Sequence, residues 1–157
     1  MKNMSTQKQH KKIKKAASQT EPRLSPQEYR KYLKQTELKS IILISCSARM
    51  RSDYFAESMK HSVTDRVKYE ISEPNIVKLL HEYQFIITKS TKRDYAVKIV
   101  CEFEVELVSE EEISEKFVEI FAKVNLHMNT WPYFREFVQN MLQRMGLPPL
   151  TLPFLKS

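Results

Sequence analysis

The chain has 157 residues, 41% of them apolar and 10% aromatic, and a formal charge of +7. That length and apolar content fit one folded domain, and the charge does not belong to it: residues 1–24 hold seven basic side chains and one acid, leaving 19 basic and 18 acidic beyond. No apolar run approaches a membrane span or a secretory core, and Cys46 and Cys101 have no metal-ligand spacing, so a soluble cytoplasmic protein with reduced thiols is expected.

Residues 1–24 form the first segment, a basic tail rich in Lys, Gln and Ser without apolar periodicity, and disorder is expected there. The folded domain is expected over 25–157. It opens with LSPQEYRKYL, where Ser25 can cap a helix, Pro26 occupies its first position and Glu28 closes a capping box. Leu24 and Tyr29 stand at the two positions of a hydrophobic staple, and a short helix over about 26–36 follows. In the next stretch, LKSIILISCSARMRS, Ile42, Ile44, Cys46, Ala48 and Met50 alternate with Ser45, Ser47, Arg49 and Arg51, which predicts a strand with those five residues on one face.

Residues 66–72 alternate as a strand that Pro74 ends. Tyr83, Phe85 and Ile87 then share a strand face leading to a hairpin, and the return strand carries the strongest signal in the chain. There Tyr95, Val97, Ile99, Cys101, Phe103, Val105 and Leu107 alternate with Lys98, Glu102, Glu104 and Glu106. One sheet face should be buried and the other acidic and wet. Ser109 and Glu112 read as a second capping box before a helix with Ile113, Phe117, Ile120, Phe121 and Val124 in register. A last helix is expected from Trp131 to Met145. Its stop is explicit: Gly146, the only glycine of the chain, precedes two prolines. Phe134, Phe137, Val138, Met141, Leu142 and Met145 make a stripe wider than a surface helix needs, which implies cover from a second subunit or a ligand.

Catalytic chemistry finds little support. The chain lacks a GxSxG elbow or a glycine-rich phosphate loop, and its four histidines, His10, His61, His81 and His127, show no local zinc spacing, so neither metal nor cofactor is expected. His81 reads as a solvent or boundary residue. The lysine run at 2–15 leaves one rival reading, a nucleic-acid-associated adaptor, although no aromatic residue interleaves the lysines to stack bases.

The segment WPYFREFVQNMLQRMGLPPLTLPFL, after an acidic-capped helix and a long alternating strand, resembles the SecB-like family of protein-export chaperones. Pro132, Tyr133, Phe134, Arg135 and Glu136 match the family's helix-opening motif, and Gly146, Pro148 and Leu150 its closing one. The start, LSPQEYRKYLKQTELKSIIL, is similar to the solitary or toxin–antitoxin-associated branch. The resemblance implies an α+β fold, a four-stranded antiparallel sheet with helices on one face, in a homotetramer built as a dimer of dimers. It also implies an ATP-independent holdase for unfolded preproteins or an antitoxin. For client contact the expected residues are Tyr83, Phe85, Trp131, Leu147, Leu150 and Leu152, the last three within an apolar tail that runs on to Phe154 and Leu155. Phe134, Phe137 and Met141 are expected at a subunit contact. If the translocation motor SecA docks, Glu102, Glu104 and Glu106 are the candidates by charge; Arg49 and Arg51 on the first strand, and an end soon after the Leu-rich segment, depart from the export members.

Overall fold

A computed structural model describes residues 24–91 and 93–153. Most of the expected tail at 1–24, and Phe154 and Leu155, lie outside the described residues. The order is helix α1 (Pro26–Gln35), strand β1 (Thr36–Met50), a 3-10 turn (Ser52–Tyr54), strands β2 (Lys60–Glu73), β3 (Ile76–Thr88) and β4 (Tyr95–Ser109), then helices α2 (Glu115–Lys123) and α3 (Asn125–Arg144). The strands form one antiparallel sheet in the order β1-β4-β3-β2. This is the α+β arrangement expected from the sequence, with β1 and β2 as edges.

α1 begins as its sequence dictates. Ser25 N donates to Glu28 Oε2 at 2.8 Å and Glu28 N to Ser25 Oγ at 3.2 Å, so two amides that the first turn leaves unpaired are both satisfied. Those bonds favour the ionised Glu28 carboxylate and hold its pKa below the ordinary value. The helix lies against α2, with Tyr29 and Tyr32 each 5.3 Å, centroid to centroid, from the Phe117 ring. β1 starts without a connecting loop.

The sheet's inner face separates into two apolar regions. Val77, Leu79, Val105 and Leu107 pack with Ile113, Phe117, Val118, Phe121 and Leu126 from the helical side. Tyr83, Phe85, Val97, Ile99, Cys101 and Phe103 pack with Phe134, Val138, Leu142 and Leu152. The outer face carries Glu102, Glu104 and Glu106, all partly buried. Lys78 Nζ stands 3.5 Å from Glu104 and 4.0 Å from Glu106, so the repulsion along this row is partly relieved inside the sheet.

Three expectations about the elements are corrected. β1 does not keep Ile42, Ile44, Cys46, Ala48 and Met50 on one face. Its pairing with β4 slips between Leu38 and Ser40 and again between Leu43 and Ser45, which leaves Lys39 and Ile44 without partners. Each bulge reverses the alternation, so Ile42 stands with Glu104 on the outer face while Leu43 stands with Phe103 on the inner. Cys46 pairs with Cys101.

Ser109 does not cap a helix either. It closes β4 opposite Thr36 and its hydroxyl donates to the Gln35 carbonyl at 3.2 Å; the helix waits until Glu115, after Ser114. α3 begins at Asn125 and not Trp131, taking Pro132 into its interior. Proline there removes the bond to the Met128 carbonyl, and the helix tolerates it because Met128 and Pro132 both lie on its exposed side, where water can serve that carbonyl.

Candidate functional site

α3 ends in a Schellman turn. Gly146 has φ +71°, its N–H donates to Gln143 O at 3.0 Å, and Leu147 N–H donates to Leu142 O at 3.0 Å. The turn reverses the chain so that it runs back along α3. Two side chains of α3 hold it there: Arg135 Nε donates to Leu152 O at 2.7 Å and Trp131 Nε1 to Pro153 O at 2.9 Å. Pro148, Pro149 and Pro153 have no N–H to offer a neighbouring strand.

Between this returning segment and the start of β2 lies an apolar groove of about 270 Å³. Leu142, Leu147, Pro148 and Leu150 form one wall; Phe55, Met59, His61 and Ile87 form the other. Phe55 is 39% exposed. The sequence reading found Leu147 and Leu150 but missed the opposite wall. Phe55 and Met59, large apolar side chains in an otherwise polar link at 51–59, were the available signal.

The remaining expected client residues are placed differently. Tyr83, Phe85 and Leu152 are buried within the chain, so they hold the core beneath the groove and α3 and present no surface. Trp131 is half-buried. Of the expected subunit-contact residues, Phe134 is fully buried and stacks on Tyr83 with centroids 4.4 Å apart, so its partner is its own sheet. Phe137 and Met141 are half-buried and, with exposed Tyr133, follow one another at four-residue spacing along α3. The helices cover Leu38 and Ile41 on the inner face of β1 but leave the face beyond them open: Leu43 is 40% and Met50 43% exposed.

A polar cluster interrupts the core between the two apolar regions. His81 on β3, expected at the boundary, is fully buried. Its Nε2 stands 3.1 Å from Asp65 Oδ2 on β2, and the same oxygen stands 3.3 Å from Nε2 of His127 on α3. On the other side of the ring, Nδ1 lies 2.9 Å from Thr130 Oγ1, which is also 2.9 Å from the Tyr83 hydroxyl and 3.0 Å from Leu126 O. Burial lowers the His81 pKa to about 4, with the His127 charge adding to the effect and Asp65 opposing it. Burial likewise raises the Tyr83 pKa. No local spacing announces this cluster, since 16 residues separate Asp65 from His81 and 49 separate His81 from Thr130.

No protein-family model and no curated protein sequence matches the chain. Among solved structures, it is similar to the Rv1957 SecB-like chaperone of Mycobacterium tuberculosis in complex with a ChAD peptide from the Rv1956 HigA1 antitoxin. That match covers 81% of this chain and 96% of the other, with a TM-score of 0.68 and 19% identity. The fold is SecB-like. A protein of unknown function from Streptococcus agalactiae also aligns, over 76% of this chain and 97% of its own, with a TM-score of 0.40 and 14% identity. Among the described residues, no helix is long and apolar enough to cross a membrane.

Proposed function

We propose that this protein is an ATP-independent chaperone that holds unfolded polypeptide, with an antitoxin or an exported precursor as client. The observation that carries the reading is an open apolar groove on a SecB-like fold, walled by Phe55, Met59, Ile87, Leu142, Leu147 and Leu150. An extended client segment places apolar side chains in such a groove, and modest affinity at each contact is multiplied over several. Proline in one wall disfavours strand pairing, so recognition rests on side chains and tolerates varied sequences. The antitoxin peptide bound by the Mycobacterium tuberculosis SecB-like chaperone supports an antitoxin as one client class. The working form in this reading is a cytoplasmic homotetramer. Its contacts use Tyr133, Phe137 and Met141 with the open part of the inner face of β1, which supplies the second cover that the width of the α3 stripe calls for.

The test dilutes a chemically unfolded, slow-folding client into buffer with and without the protein, without ATP, and follows light scattering. Suppression near stoichiometry is expected, and Phe55→Asp and Leu150→Asp should lose it while keeping far-ultraviolet circular dichroism and native mass. Deletion of residues 2–15 should leave suppression intact. A folded oligomer that never suppresses aggregation would overturn the reading, and loss of activity on deleting the tail would favour a role for the lysines.

A further inference from the structure

The hydrogen bonds around His81 leave an electron-pair problem at its other nitrogen. Thr130 has one hydroxyl proton and three neighbours: Leu126 O, His81 Nδ1 and the Tyr83 hydroxyl. All three contacts become hydrogen bonds in one arrangement, in which Tyr83 and Nδ1–H both donate to Thr130 Oγ1 and Thr130 donates to Leu126 O. With the ring neutral, His81 Nε2 then carries a lone pair 3.1 Å from the Asp65 carboxylate. Nε2 of His127 converges on the same carboxylate oxygen from α3.

We propose that Asp65, His81 and His127 are the ligands of a divalent transition-metal ion of the zinc type. Three donor atoms, one from each residue, lie within 4.8 Å of one another. The two separations to Asp65, 3.1 and 3.3 Å, compare with roughly 3.3–3.4 Å between ligands of a tetrahedral ion whose bonds are about 2.0–2.1 Å. Two imidazole nitrogens and one carboxylate oxygen form a donor set suited to zinc and its neighbours and poorly suited to calcium or magnesium. Thr130 acts as the positioning residue, fixing the His81 tautomer and ring through Nδ1.

Asp65 and His127 also line a cleft of about 490 Å³ with Val67, Tyr69, Glu119 and Lys123, which gives an ion a path inward and room for a fourth ligand, water or a partner's side chain. The three ligands come from β2, β3 and α3, so the ion ties the edge strand to the long helix. This inference stands independently of the chaperone reading.

The test treats the full chain with chelator, removes the chelator, and titrates Zn²⁺ by calorimetry and Co²⁺ by visible absorption. One ion per chain is expected, with Co²⁺ bands typical of four- or five-coordinate nitrogen and oxygen ligation. A hundredfold excess of Zn²⁺ over its Kd should raise Tm by on the order of 5 °C or more. Asp65→Asn and His127→Gln alter partly exposed residues and should keep the fold by circular dichroism, yet weaken binding roughly tenfold or more. His10→Gln and His61→Gln should bind as the parent does. The proposal is overturned if the parent takes up no stoichiometric ion at micromolar concentration. It is equally overturned if Asp65→Asn and His127→Gln bind unchanged, or if the His10 or His61 change removes the site.

Discussion

Replacing Thr130 with valine keeps the shape of a fully buried side chain and removes one oxygen. Two buried groups then lose their partner at once: the Tyr83 hydroxyl and His81 Nδ1, each 2.9 Å from Thr130 Oγ1. Whichever tautomer His81 adopts, Nδ1 is left with an unmatched proton or an unmatched lone pair. At about 1–3 kcal/mol for each stranded group, Thr130→Val should destabilise the fold by about 2–6 kcal/mol. Tyr83→Phe alone removes a donor whose only cost is the one bond, about 1 kcal/mol. Combining the two leaves a single stranded group, so the double variant should be more stable than the sum of the single losses predicts, by about 2–4 kcal/mol. Urea unfolding followed by fluorescence of Trp131, whose ring centroid lies 5.9 Å from that of Tyr83, gives all four stabilities. A loss below about 0.5 kcal/mol for Thr130→Val, or strict additivity in the cycle, would refute the shared network.

Phe134→Ala should cost about 3–5 kcal/mol in the same assay, because the ring is fully buried against Tyr83; a loss under about 1 kcal/mol would mean that α3 does not seal this part of the sheet. Gly146→Val should cost about 1 kcal/mol or more. No atom lies within 4 Å of where a Cβ would stand, so the whole penalty comes from φ +71°, and an unchanged Tm would disprove that backbone conformation. Iodoacetamide at mildly alkaline pH should label one thiol of the native chain, Cys46, and a second only in denaturant. Cys101 is buried and its thiol is pushed up to about 12 by that burial; two rapidly labelled native thiols would contradict the assignment.

Strong local signals were legible in the sequence. The Ser25–Glu28 box, the seven-position alternation of β4 and the glycine before two prolines each define an element through contacts a few residues apart, and each stands where its chemistry requires. Pattern alone also gave which side chains of β3 share a face. It did not say how completely that face would be covered, which is why Tyr83 and Phe85 read as surface and proved to be core. The bulges of β1 were hidden because the sequence around Lys39 and Ile44 carries no glycine or proline to mark them. The early start of α3 was masked by the polar run before Trp131, whose Thr130 and His127 face a buried polar cluster. That cluster escaped for a related reason: its members meet through the sheet and the helix, across separations that spacing rules do not sample.

The two unpaired residues of β1 bear on how this strand can change length through evolution. Lys39 and Ile44 are spare positions, and deleting either one leaves every remaining partner opposite the residue it already faces on β4. A deletion anywhere else in the strand forces the pairing to shift until it reaches one of these two points, turning over every side chain in between. Relatives with a first strand one or two residues shorter therefore fit the same sheet if the gap falls at these positions. Such variants would keep Cys46 across from Cys101 while losing the local bend that the extra residues impose.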